Sequence, residues 1–210
     1  MDIDALISRL GRRPQNEHRA AFQLRDAWVA ERMSPEVLPY KDALVRQVSL
    51  DIEKLITYID EHSLDIEHSL DKDIKLTLLI VESELERLKY TVRSYLRARI
   101  AKIDVFLAWY SYEQNHVNLT PDEAEYAFQH LQLQYNLYQA SFMSAWPEEF
   151  ADIQSQSNEK VLDAPDLEKP VAVRVLKDTV LETEQVKRGQ VWLVHYSSIR
   201  EFVGDSVQLV

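Results

Sequence analysis

Residues 82–112 read ESELERLKYTVRSYLRARIAKIDVFLAWYSY, and they decide the fold class because their apolar positions recur with helical spacing and no Gly or Pro interrupts them. Leu85, Leu88, Val92, Tyr95, Ile103, Phe106 and Tyr110 step by three, four, three, eight, three and four residues, the eight spanning two turns, so they form one stripe. Ile74, Leu78 and Val81 carry the stripe upstream. This predicts one helix from about Asp73 to Tyr112, roughly 60 Å long at 1.5 Å per residue. Leu96, Ile100 and Leu107 add a second apolar face. One neighbour cannot cover both faces, so further helices or a partner chain must.

Working back from that helix, Val45, Val48, Ile52, Leu55 and Ile59 step by three, four, three and four, which predicts a helix from Tyr40 to about His62. An earlier helix is expected from about Glu17 to Met33, with Phe22, Trp28 and Val29 as its apolar side. Between these two, Ser34-Pro35-Glu36 has the form of an N-cap followed by Pro at N1, and Pro39 limits it to a short first turn. The segment EHSLDIEHSLDK, residues 61–72, repeats EHSLD and is read as a solvated inter-helix connection, with a helical conformation as the alternative. Working forward, Thr120-Pro121-Asp122-Glu123 is a capping box that opens a helix carrying Ala127, Phe128, Leu131, Tyr135, Tyr138 and Phe142 until Pro147.

Composition changes after Pro147 to a polar, acidic stretch ending at Pro170, and beyond it come short β-branched and aromatic runs: VAVRVL at 171–176, Val180-Leu181, VWLVHY at 191–196 and a terminal VQLV. The expected fold is therefore mainly α, a long-helix bundle followed by a small C-terminal β-rich domain. The expected domains are an N-terminal amphipathic peptide and linker at 1–16, a helical domain at 17–150, a linker at 151–170 and a β-rich domain at 171–210. Forty residues make a thin core, so Val191, Leu193, Val207 and Leu209 are expected to form an apolar face that docks on the helices or on another chain. Near the start, Ile3, Leu6, Ile7 and Leu10 fall at i, i+3, i+4 and i+7 behind Asp2 and Asp4. This amphipathic helix is too short to be stable without a partner.

Bulk composition excludes several function classes. The 210 residues contain no cysteine, which removes disulfides, thiol catalysis and Cys-rich zinc modules, and they contain three glycines, too few for phosphate-cradling loops. No secretory pattern opens the sequence and no apolar run approaches membrane-spanning length, so an intracellular protein without membrane segments is expected. A net charge of −11 repels phosphate backbones and argues against nucleic-acid binding by the chain alone. The six histidines form no metal or catalytic signature. Glu113 and His116 give a single Glu-x-x-His where a di-iron bundle needs two. No catalytic residue, metal or cofactor is expected. The local exception in charge lies on the central helix, where Arg87, Lys89, Arg93, Arg97, Arg99 and Lys102 face Glu84, Glu86 and Asp104, six against three for a local +3. Lys89, Arg93 and Arg97 lie one turn apart, able to meet acidic side chains or phosphates.

The segments AWVAERMSPEVLPY (27–40), ELERLKYTVRSYLRARIAKID (84–104) and GQVWLVHYSSIREFVGDSVQLV (189–210) resemble the family of subunit four of the GINS complex of eukaryotic DNA replication. The similarity covers most of 20–210. It implies a nuclear, non-enzymatic subunit of a heterotetramer with three other GINS subunits, an assembly that binds the MCM helicase ring and its RecJ-like partner and acts at initiation and fork progression. On this reading Leu85, Leu88, Val92, Tyr95, Leu96, Arg97, Ile103 and Phe106 on the central helix, with Val191, Leu193, Val207 and Leu209, are subunit-interface residues. Ile3, Leu6, Ile7 and Leu10 are similar to the short peptide with which some subunits engage a trimeric WD-repeat replisome adaptor. The alternative is a free-standing helical DNA-binding protein using the basic stripe.

Overall fold

The structure is a computed structural model that describes residues 15–68, 72–142, 163–181 and 184–210. The adaptor-peptide residues Ile3, Leu6, Ile7 and Leu10 and most of the acidic linker lie outside the described residues. Four long helices follow one another: α1 (Gln15–Met33), α2 (Asp42–His68), α3 (Lys72–Val105) and, after the short α4 (Leu107–Tyr110) and a 3-10 turn at Glu113–Asn118, α5 (Pro121–Ser141). Strands β1 (Pro170–Val175), β2 (Thr179–Leu181), β3 (Glu184–Val186) and β4 (Val191–His195) come next, then a short α6 (Tyr196–Ile199), a 3-10 turn at Arg200–Phe202 and β5 (Val207–Leu209). This is the mainly α chain with a small C-terminal sheet that the sequence predicts.

The described residues form two compact units, one within Met1–Ala30 and Lys41–Arg97, the other within Glu31–Tyr40 and Ala98–Val210. In the first, the buried apolar side chains are Ala20, Ala21 and Leu24 of α1, Val48 of α2, and Leu78, Val81, Leu85, Leu88 and Tyr95 of α3. Each buried Val or Leu side chain stabilises the unit by about 1.5 to 3 kcal/mol, more than helix propensity supplies, so the stripe and not the backbone alone holds α3. The Tyr95 hydroxyl accepts the Lys41 N–H at 3.3 Å, at the entrance to α2.

Two local expectations are corrected. The central helix ends at Val105, not Tyr112: Phe106 adopts φ −113° and ψ 40°, and this break lets Leu107 and Tyr110 of α4 enter a core with Val37, Ile103 and Ala127. Ser34-Pro35-Glu36 does not start a helix either. Residues 34–41 form an irregular connection, and α2 begins only at Asp42. Pro39 disfavours helical backbone at Leu38, and the carbonyls of Glu36, Val37 and Leu38 are taken by side chains. The capping box is present as predicted, with the Glu123 N–H donating to Thr120 Oγ1 at 3.2 Å and the Thr120 N–H to Glu123 Oε2 at 2.9 Å.

The C-terminal sheet has the antiparallel order β4-β1-β5, with Val173 opposite both Trp192 and Leu209, and Ala172 opposite Leu193. Paired residues share a face. Val171, Val173, Val175, Val207 and Leu209 are therefore buried on one side, while Val191 and Leu193 stand on the other, 59% and 72% exposed. The expected single face of Val191, Leu193, Val207 and Leu209 is thus two opposite faces, because β5 pairs with β1 in the register that turns its apolar residues inward. Strands β2 and β3 form a separate hairpin, and the turn into β4 uses Gly189 at φ 88°, a left-handed conformation that favours glycine.

Candidate functional site: ionic centre and exposed surfaces

The second unit is organised around Arg99, which is fully buried. Its guanidinium presents five N–H donors, and each has an acceptor. Nε donates to Glu123 Oε1 at 2.7 Å, and Nη2 to Glu123 Oε2 at 2.8 Å and the Asn118 carbonyl at 2.9 Å. Nη1 donates to the Leu38 carbonyl at 2.6 Å and Glu31 Oε2 at 3.3 Å. The plane also lies over the Tyr40 ring, 5.2 Å from its centroid. One turn on, Lys102 Nζ uses its three donors on Glu31 Oε1 at 2.9 Å, Ser34 Oγ at 2.6 Å and the Glu36 carbonyl at 2.8 Å.

Together these groups fix the backbone of 36–38 without any regular secondary structure. The Val37 N–H donates to the Tyr110 hydroxyl at 3.0 Å, the Val37 carbonyl accepts from Asn118 Nδ2 at 2.9 Å, and the Leu38 N–H reaches Glu31 Oε1 at 3.4 Å. Buried polar backbone needs partners, and here side chains supply them. The Glu36 carboxylate then receives Arg200 through two bonds of 2.7 Å and the Tyr196 hydroxyl at 2.9 Å, tying the connection to α6 and the turn after it. Electrostatics follow the geometry. Burial alone would raise the Glu123 carboxyl, but Arg99 and the Thr120 N–H hold it below the usual carboxylate range. Burial lowers Lys102 and pushes the Tyr110 hydroxyl up to about 12, and burial with the nearby Glu36 raises Tyr196 as well.

Sequence reasoning counted Arg99 and Lys102 within the local +3 of the central helix and did not single them out as buried. The signal it missed is the gap of eight between Tyr95 and Ile103, whose midpoint is residue 99: an arginine on an apolar stripe is a buried ion pair in waiting. The rest of the basic stripe is largely neutralised locally, with Lys89 on Glu86 at 3.0 Å, Arg93 on the same carboxylate at 3.6 Å and Arg87 on Glu84 at 2.7 Å. Arg97 is exposed. Of the other predicted interface residues on α3, Leu85, Leu88, Tyr95 and Ile103 are buried by this chain itself, while Val92 and Leu96, with Phe106 just beyond the helix, are half-buried. His116 Nε2 lies 2.9 Å from the Tyr110 carbonyl, and among the described residues no group of His, Asp and Glu gathers as a metal site.

Exposed apolar side chains gather on two of the long helices in particular. On α5, Tyr126, Leu133 and Leu137 are exposed on one stripe, the last two at 67% and 62%, and Phe128 is exposed on the opposite side of the helix. From Tyr126 to Trp146 the sequence carries no Asp, Glu, Lys or Arg, in a chain that is 28% charged. On α3, Leu76, Leu79 and Ile80 are likewise exposed, at i, i+3 and i+4. An exposed, uncharged, apolar helix face is the composition of an interface centre and not of a solvated surface.

Residues 48–142 match the Sld5 family, described as the GINS complex protein helical bundle domain, and so cover the region from α2 to the end of α5. The chain is 38% identical to the DNA replication complex GINS protein SLD5 of Yarrowia lipolytica, over 98% of this chain and 84% of that protein. It is 36% identical to the protein of the same name from Chaetomium globosum, over 89% and 85%, and 32% identical to that of Debaryomyces hansenii, over 92% and 88%. Similarity at this level extends through the C-terminal sheet as well as the helices. The chain belongs to the Sld5 family of DNA replication GINS proteins.

Proposed function

We propose that this chain is a structural, non-catalytic subunit of a GINS complex. In this reading it assembles in the nucleus with the three other GINS subunits, and the assembly binds the MCM helicase ring and its RecJ-like partner to support initiation and fork progression. The observation that carries the proposal is the match over 98% of the chain to a GINS protein. The uncharged face of α5 and the Leu76, Leu79 and Ile80 face of α3 support it, since each is apolar surface that partner chains would cover. Exposed Arg97 is proposed as a rim contact. The buried Leu85, Leu88, Tyr95 and Ile103 act indirectly, by holding α3 straight for the partner-facing residues. Ile3, Leu6, Ile7 and Leu10 are proposed to engage a trimeric WD-repeat adaptor as a helix in a groove.

Co-expression with the other three subunits of the same organism, followed by sizing chromatography, tests this. A single species containing all four chains is expected. Leu133→Glu with Leu137→Glu is expected to leave the chain folded, because both side chains are exposed, but absent from that species. Ile3→Ala with Ile7→Ala is expected to keep assembly and lose adaptor binding. A wild-type chain that elutes alone from a correctly expressed mixture would refute the assembly reading.

A further inference from the structure

We propose that the free edge of β4 is a docking strip for an extended, acidic segment of a partner protein, which adds to the C-terminal sheet as a further strand. The sheet order leaves one side of β4 unpaired among the described residues. The ladder fixes which backbone groups face that side. The Val175 N–H donates to the Gln190 carbonyl at 2.9 Å and the Tyr196 N–H to the Lys169 carbonyl at 3.1 Å, so the residues of β4 bonded to β1 are the even-numbered ones, Trp192 and Val194. The N–H and carbonyl groups of Val191 and Leu193 therefore point away from β1, and none has a backbone partner among the described residues.

Edge strands in soluble proteins are ordinarily blunted by lysine, proline or a short length. Residues 191–194, VWLV, carry none of these protections, and the side chains of Val191 and Leu193 stand exposed beside the open backbone. A strand added here gains main-chain hydrogen bonds along the edge and apolar contacts at alternate positions. Its charge is set by the surroundings. Arg174, opposite Val191 on the outer face, and Lys187 and Arg188, in the turn entering β4, are exposed cations in a chain of net charge −11. The Asp178 carboxylate beside this turn is engaged by the Arg188 backbone N–H at 2.7 Å. The occupant that fits is a segment alternating apolar and acidic residues, and the inference does not depend on the GINS assembly reading.

The test uses the full-length chain and a capped ten-residue peptide alternating valine and glutamate, with a valine–lysine peptide as the charge control. Amide exchange followed by NMR is expected to show the Val191 and Leu193 amides unprotected in the free chain and protected when the acidic peptide is added, with weaker protection by the lysine peptide. Leu193→Pro removes an N–H that the sheet itself does not use, so it is expected to keep the fold and weaken peptide binding about tenfold. Val191→Thr with Leu193→Thr keeps strand propensity and removes the apolar contacts, and is expected to weaken binding while leaving the ladder to β1 intact. Protection of the two amides in the free chain would show that a segment of this protein already fills the edge, and would overturn the proposal. So would unchanged peptide affinity in Leu193→Pro, or no protection at millimolar peptide.

Discussion

Arg99 shows how one side chain decides whether a connection without regular structure can be buried. Its acceptors come from Glu31, Leu38, Asn118 and Glu123, so replacing it takes the guanidinium donors from two carboxylates and two carbonyls. Breaking a buried ion pair by removing one partner costs about 3 to 5 kcal/mol. Arg99→Met is therefore expected to lower the urea midpoint strongly, whereas Arg97→Met, two residues away and exposed, is expected to stay within about 0.5 kcal/mol of wild type. The pH dependence follows from the same centre. Glu123 has a lowered pKa in the fold, so its contribution is complete above the unfolded value near 4.3 and is lost as pH falls through the folded value. Tyr110 is raised to about 12, so its contribution is complete below the unfolded value near 10 and is lost as pH rises from there towards 12. Lys102 is lowered and acts in the opposite sense, gaining stability as pH rises towards its unfolded value, but Tyr196 is raised alongside Tyr110. Urea midpoints are expected to fall above pH ~10 in the wild type and to fall less steeply in Tyr110→Phe.

At the scale of elements, strand register separates residues that sequence pattern groups together. Val207 is fully buried on the inner face of the sheet and Leu193 is exposed on the outer face. Val207→Asp buries an unpaired charge and is expected to cost about 3 kcal/mol or more, while Leu193→Asp is expected to cost under about 0.5 kcal/mol, both read from thermal unfolding. The helices were legible because period is a local property: the stripes at 45–59 and 74–103 and the capping box at Thr120 each state their element without reference to the rest of the chain. What was not legible depends on distant partners. Nothing near Val191 or Val207 reveals that β1 lies between their strands, and nothing near Ser34 reveals that Lys102 and Arg99 will occupy the carbonyls that a helix would have used. The break at Phe106 is of the same kind, since no Gly or Pro marks it and the core containing Val37 and Ala127 rewards it.

For the whole molecule, charge separates the proposed assembly role from independent DNA binding. With 35 acidic and 24 basic side chains the long-range field repels a polyanion, and Lys89 and Arg93 share the Glu86 carboxylate. Fluorescence anisotropy with a labelled duplex is expected to give no submicromolar binding at moderate salt. Tight binding with a steep salt slope, lost in Arg93→Glu with Arg97→Glu, would instead support the DNA-binding alternative. The family relationship was legible in the sequence because its motif lies on α3, the element that both units share. The grouping of residues 31–40 with Ala98–Val210 was not, since it rests on side-chain contacts across the length of the chain.

The clasp on Glu36 also sets an order in time. Its partners Tyr196 and Arg200 follow it by 160 and 164 residues, so on a ribosome adding about 5 to 20 residues per second they are synthesised roughly 8 to 33 seconds later. Until then the Glu36 carboxylate lacks the cation and hydroxyl that let it leave water. The second unit therefore closes only after Arg200 has been made, and a nascent chain halted before Tyr196 carries an acidic hook with nothing to catch.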